Sequence, residues 1–142
     1  MQTLLIPVDG SEYSNRAVEY AVQRANTSRY EVQLHLLNVQ VPIVTVNVKL
    51  FISEETLKAY YREEGDRALA SALVRLANIK LAAKSHIGIG DPGKIICDYA
   101  TEISATEIVI GTHGRGFISG ALIGSVAQKV VHRSSIPIVL VK

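Results

Sequence analysis

Five glycines fall between positions 111 and 124, at 111, 114, 116, 120 and 124, and they carry the clearest chemical signal in this chain. Gly111-Thr112-His113-Gly114 is followed, nine residues on, by Gly124-Ser125. An apolar run, Ile108-Val109-Ile110, leads in, and a helical pattern from Val126 to His132 leads out. A strand, a glycine loop and a helix start, in that order, make an anion site. Glycine lets the main chain approach a ligand closely, and the N–H groups of a helix's first turn lack intrahelical acceptors. The pattern predicts a phosphate-bearing ligand, because a long glycine-rich loop in a compact domain is usually functional.

A second loop, Asp9-Gly10-Ser11, follows the first apolar run and is placed to share that crevice, since ligands of open parallel sheets bind at the carboxyl ends of strands. Asp9 reads equally well as a ligand contact or as a cap for the first helix. Ser125 fits a donor to phosphate or a cap for the last helix, and Arg115 either reaches a phosphate or is solvated. His113 lies in the glycine loop; His35 and His86 fall within strands and read as structural. His132, near a helix end, suits the negative end of the dipole. The four histidines show no metal-ligand spacing, and no Ser/His/Asp set can be assembled. Gly88-Ile89-Gly90-Asp91-Pro92-Gly93 formally fits a dinucleotide fingerprint but is rejected. Asp91 puts negative charge where pyrophosphate would sit, and Pro92 removes a donor. No Gly-Lys-Ser/Thr ending is present, so the lysine of Walker loops is missing.

These loops need a scaffold, and apolar runs alternating with helical patterns supply one. Leu4 to Val8 reads as a buried strand, with Ser11 or Ser14 capping the helix that buries Ala17, Val18, Ala21, Val22 and Ala25. Val32 to Val39 is a second strand. Residues 43–51 read as either a short extra strand or an ordered loop. Ser53-Glu54-Glu55 opens a long helix whose Gly65 costs about 1 kcal/mol relative to alanine and marks a bend or close packing. Ser85 to Ile89 is a third strand, and Asp91 with Pro92 caps and starts the helix of Ile95, Ile96, Tyr99, Ala100 and Ile103. Ile108 to Ile110 and Ile136 to Val141 complete five strands. Near-continuous aliphatic strands between helices predict an α/β protein with a mostly parallel sheet covered on both faces.

At 142 residues the chain reads as one domain, 1–142, with 48% apolar and 20% charged residues. Fifteen basic residues against 13 acidic give a formal charge of only +2. The basic residues are scattered, not gathered in a stripe, which argues against a nucleic-acid partner. Cys97 is the single cysteine, so no internal disulfide is expected. No signal-peptide pattern opens the chain and no run approaches the ~20 apolar residues that span a bilayer, so the expected setting is the cytoplasm with no membrane partner.

The motifs together resemble the universal stress protein family over nearly the whole chain. The carriers are Ile6-Pro7-Val8-Asp9-Gly10-Ser11, Leu37-Asn38-Val39 (where the family often has His in place of Asn38), Gly90-Asp91-Pro92, Ile110-Gly111-Thr112-His113-Gly114-Arg115, Gly124-Ser125-Val126-Ala127 and Pro137-Ile138-Val139-Leu140-Val141. The resemblance implies an adenine-nucleotide-alpha-hydrolase-like fold, an open five-stranded parallel sheet ordered 3-2-1-4-5. Every position of G-x2-G-x9-G-[S/T] is present, which marks the family's ATP-binding members. By the same resemblance Gly114, Gly124, Ser125 and Val126 hold phosphates, Pro7, Asp9 and Val39 frame the adenosine end, and Ile110 and Gly111 lie beside it. The ligand implied is ATP, with any Mg bound through its phosphates. Homodimerisation through the last strand, Ile138, Val139, Leu140 and Val141, is also implied and fits an aliphatic edge. The function expected is a non-catalytic ATP-binding module of the stress response. A slow ATPase using Asp9 or His113, and a nucleotide-independent interaction dimer, are the alternatives.

Overall fold

Strand and helix alternate as the apolar runs predict: β1 (Gln2–Pro7), α1 (Glu12–Thr27), β2 (Val32–Gln40), α2 (Glu54–Asn78), β3 (Ala83–Ile89), α3 (Pro92–Glu102), β4 (Glu107–Gly111), α4 (Ser125–Arg133) and β5 (Ile138–Val141). The computed structural model describes residues 1–43, 50–116 and 120–142; most of the ambiguous 43–51 segment lies outside the described residues. The five strands form one parallel sheet in the order β3-β2-β1-β4-β5.

Side chains alternate across each strand, so each helix layer meets its own set. Leu4, Ile6, Leu34 and Leu36 pack with Val18 of α1 and with Leu69, Ala72 and Leu76 of α2. Leu5, Leu37, Ile108 and Ile110 pack on the other face with Ile96 and Ala100 of α3 and Ala127 and Val130 of α4. Both faces are therefore dry, which explains the unbroken aliphatic runs. Burying each such Leu or Ile contributes about 1.5–3 kcal/mol.

Three helices start on side-chain caps. Ser11, Ser53 and Asp91 accept hydrogen bonds from the main-chain N–H groups of Ser14, Thr56 and Lys94. Lys129 of α4 also donates to Asp91 across 3.0 Å, and that bond holds the Asp91 carboxyl below its usual range. The last strand begins at Ile138, two residues later than the apolar run suggests, because Pro137 has no N–H to give the ladder. Its carbonyl still accepts from Ile108 at 2.9 Å.

Gly65 marks close packing of α2 on β3. A Cβ there would sit 2.6, 2.8 and 2.9 Å from three side-chain atoms of Ile87. Gly65→Ala is expected to destabilise the fold by about 1 kcal/mol, an overpacking penalty exceeding the helix-propensity gain. In an Ile87→Ala background the same change should stabilise, by about 1 kcal/mol. Denaturant unfolding of the four variants reads the sign reversal; Gly65→Ala stabilising in both backgrounds would contradict the packing account.

Candidate functional site

β1 sits between β2 and β4, so the strand order reverses there and a crevice opens at the carboxyl ends of the strands. A cleft of about 550 Å³ lies at that point. Pro7, Asp9, Val39, Ile110, Gly111, Gly114, Gly124, Ser125 and Val126 all line it, so the two loops do converge. The volume is within the ~300–1,000 Å³ usual for small-molecule sites.

One end of the cleft is built for an anion. Helix α4 starts at Ser125, and its N-cap is Gly124, with no side-chain cap and no acidic residue in the first turn. Its first N–H groups therefore present an uncompensated positive dipole end. Ser125 is the first helical residue, so the capping role considered for it does not hold. The loop folds back on itself, with Gly124 N–H donating to the Thr112 carbonyl at 2.5 Å. A Cβ on Gly124 would lie 3.2 Å from that oxygen and 3.3 Å from His113 Cα.

Asp9 bridges the two loops. Its Oδ1 accepts from Ser11 N–H at 2.9 Å and its Oδ2 from Arg115 N–H at 3.0 Å. Ser11, not Asp9, caps α1, so the cap reading of Asp9 gives way to that of a clip across the crevice. Gly114 permits this approach: a Cβ there would stand 2.6 Å from Asp9 Oδ2. Arg115 lines the cleft as well, and a Cβ on Gly10 would lie 2.9 Å from its guanidinium.

His113 braces the loop. Its Nε2 donates to the Ala121 carbonyl, which can only accept, across 2.7 Å. Nδ1 lies 3.0 Å from Thr112 Oγ1. The ring also lies 5.0 Å from Tyr13. These contacts tie the outgoing arm of the loop to its return.

The other end of the cleft lies where β2 outruns β1. The last paired residues are Pro7 and Leu37, and the Leu37 carbonyl accepts from Val8 N–H at 2.8 Å. The next acceptor of the ladder, the Val8 carbonyl, is taken by Asn38 Nδ2 at 2.8 Å. Gln40 turns its carbonyl the other way, accepting from Gly90 N–H. Main-chain direction alternates along a strand, so Val39 faces the β1 side, beyond the end of the ladder, where it lines the cleft. Asn38, Gln40 and Glu64 line it too and went unnoticed as site residues in the sequence. For Asn38 and Gln40 the signal in the sequence is polar residues interrupting the apolar run of β2; Glu64, within α2, carries none.

His35 is buried away from the cleft, and burial, helped by Lys84, lowers its pKa and so favours the neutral ring. His86 stacks on Tyr99 at 4.7 Å. Among the described residues no group of three or more His, Cys, Asp or Glu side chains could hold a metal ion. Among them, too, no helix is long and apolar enough to cross a membrane.

Comparison with known proteins gives a consistent result. The chain matches the Universal stress protein family over residues 1–142. A universal stress protein of Thermus aquaticus is 29% identical over 141 residues, spanning 99% of this chain and 98% of its own length. Among solved structures, the Methanocaldococcus jannaschii protein MJ0577 is 26% identical with a TM-score of 0.83, over 99% of this chain and 95% of that one. A universal stress protein solved in complex with cAMP is 25% identical with a TM-score of 0.72, over 99% and 97% of the two chains.

Proposed function

We propose that this chain, which belongs to the universal stress protein family, is an adenine-nucleotide-binding module with ATP as its ligand. The observation that carries the reading is the uncapped start of α4, entered through Gly124 and faced by Gly114, in the same cleft as the open end of β2. Main-chain N–H groups at a helix start, without a side-chain anion to satisfy them, favour phosphate. The far end offers the main chain of Val39 beside Pro7 and Ile110, an apolar slot with polar edges that suits a purine. The relative that binds cAMP supports adenine, ribose and phosphate as the ligand's parts. Gly114, Gly124, Ser125 and Val126 would take the phosphates, and Pro7, Asp9, Val39, Ile110 and Gly111 the nucleoside. Mg, when ATP brings it, would be bound through the phosphates.

Binding, not turnover, is the role we assign. Both carboxylate oxygens of Asp9 accept main-chain N–H groups, and both ring nitrogens of His113 hold the loop. Hydrolysis would need a positioned water and charge neutralisation of the leaving group. We further propose that the protein acts in stress signalling as a homodimer joined through Ile138, Val139, Leu140 and Val141. β5 is at the sheet's edge and Leu140 is 42% exposed, an aliphatic strand edge that a second copy would cover.

Calorimetric titration with adenosine, AMP and ATP tests the phosphate reading. Affinity is expected to rise with each step from adenosine to ATP. Equal affinities across the series would contradict a loop that grips phosphate.

A further inference from the structure

We propose that the free edge of β3 is a strand-addition site for an acidic, extended segment of a partner protein. β3 closes one side of the sheet and pairs with β2 alone. The ladder settles which of its main-chain groups are already used. Ile89 stands opposite Gln40, and the Gln40 carbonyl accepts from Gly90 N–H at 3.0 Å, so Gly90 turns its main chain inward, toward β2. Direction alternates along a strand, so Gly88, His86 and Lys84 do the same, while Ile89, Ile87 and Ser85 turn theirs outward. Among the described residues none of these three outward N–H groups has a partner. The side chains of the same three residues lie on the α2 face, where Ile87 packs on Gly65. Between them and α2 runs a groove of about 390 Å³, lined also by Lys58, Arg62 and Asp66 and sharing no residue with the cleft at the strand ends.

The edge thus sets unpaired donors and acceptors beside a depression. Strand addition uses both, taking affinity from main-chain bonds and choice from the pockets alongside. Charge names the partner. Lys58 and Arg62 are one helical turn apart, and that ~6 Å step is close to the ~6.6 Å between alternate residues of a strand. Both are exposed, and among the described residues neither forms an ion pair, unlike Arg67, which meets Glu63 and Glu64. Lys84, exposed on the opposite face of β3, is a third cation that an added strand would pass. Asp66 is the only carboxylate among the described residues lining the groove, so acidic side chains at alternate positions gain more than they lose. A second copy of this chain is the poorer occupant. Pairing β3 with β3 would bring Lys84, Lys58 and Arg62 of one copy towards those of the other.

Fluorescence anisotropy with a labelled peptide of alternating glutamate and valine tests the assignment, with an alternating lysine–valine peptide as the charge-reversed probe. The wild-type protein is expected to bind the glutamate peptide saturably and the lysine peptide about tenfold more weakly. Lys58→Glu combined with Arg62→Glu should weaken the glutamate peptide about tenfold, the scale of two exposed ion pairs turned into like-charge contacts. Ser85→Pro removes one outward donor and no bond to β2, a change that edge strands tolerate, and should weaken it about as much. In the wild type the peptide should also slow amide exchange at Ser85, Ile87 and Ile89, a readout that needs no variant to fold. Equal affinity for the two peptides, wild-type affinity in Ser85→Pro, unchanged exchange at these amides, or no saturation at millimolar glutamate peptide each overturns the proposal. Tighter binding of oligothymidylate than of the glutamate peptide at this edge, or wild-type self-association that Ser85→Pro abolishes, overturns it too, by giving the edge to a nucleic acid or to a second copy.

Discussion

Gly114→Ala is expected to weaken ATP binding by about a hundredfold, the scale of losing charge-assisted hydrogen bonds to phosphate, with little change in melting temperature. The added Cβ would stand 2.6 Å from Asp9 Oδ2. That oxygen holds Arg115 N–H at 3.0 Å, so the methyl group must break the clip between the two loops. Asp9 then swings aside or the glycine loop lifts off, and either movement separates the nucleoside end of the cleft from the phosphate end. Gly114 lies at the mouth of the sheet and belongs to neither apolar cluster, which is why stability should hardly register the change. Gly116→Ala is the matched control, because a Cβ there meets nothing within 4 Å. Titration of the two variants against ATP, with thermal unfolding alongside, separates them. Wild-type affinity in Gly114→Ala would show that the clip has no part in binding.

Gly111→Ala is expected to strike the fold itself, destabilising it by about 3 kcal/mol, at the upper end of overpacking penalties. Here the Cβ would meet Tyr13 C, O and Cβ, all at 2.9 Å. Two of these are main-chain atoms of α1, and no rotamer change can move them. Gly111 itself is held in β4, paired with Val141 of β5, so neither side can yield cheaply. The helix would have to lift from the sheet and carry Val18 and Ala21 away from their packing. A fall in melting temperature of about ten degrees is the expected readout for a domain of this size. An unchanged melting temperature would mean that α1 does not press on β4 as described.

Gly111 and Gly114 also show how far the sequence could be read. Their presence in a strand–loop–helix frame was enough to place a ligand-binding loop, because a helix start and a close main-chain approach are local properties. The reasons for them were not legible: Tyr13 and Asp9 lie about a hundred positions away in the chain, and only the β1–β4 pairing brings them near. The same holds for His113. Its residue type was visible, but its bond to Ala121 depends on how the loop returns. The fold was easier to read because each strand is buried on both faces, and the aliphatic runs Leu4 to Val8 and Ile108 to Ile110 declare that directly. Asn38 and Gln40 stayed hidden for the opposite reason. A polar residue at a strand end looks the same in sequence whether it meets solvent or a cleft.

Direct titration of the wild-type protein with ATP tests the central claim most simply. Saturable binding of one nucleotide per chain is the predicted result, weakened about a hundredfold in Gly114→Ala and unchanged in Gly116→Ala. No saturation at millimolar ATP would contradict the account: the uncapped helix start and the glycine cradle would then serve only the architecture of the loop.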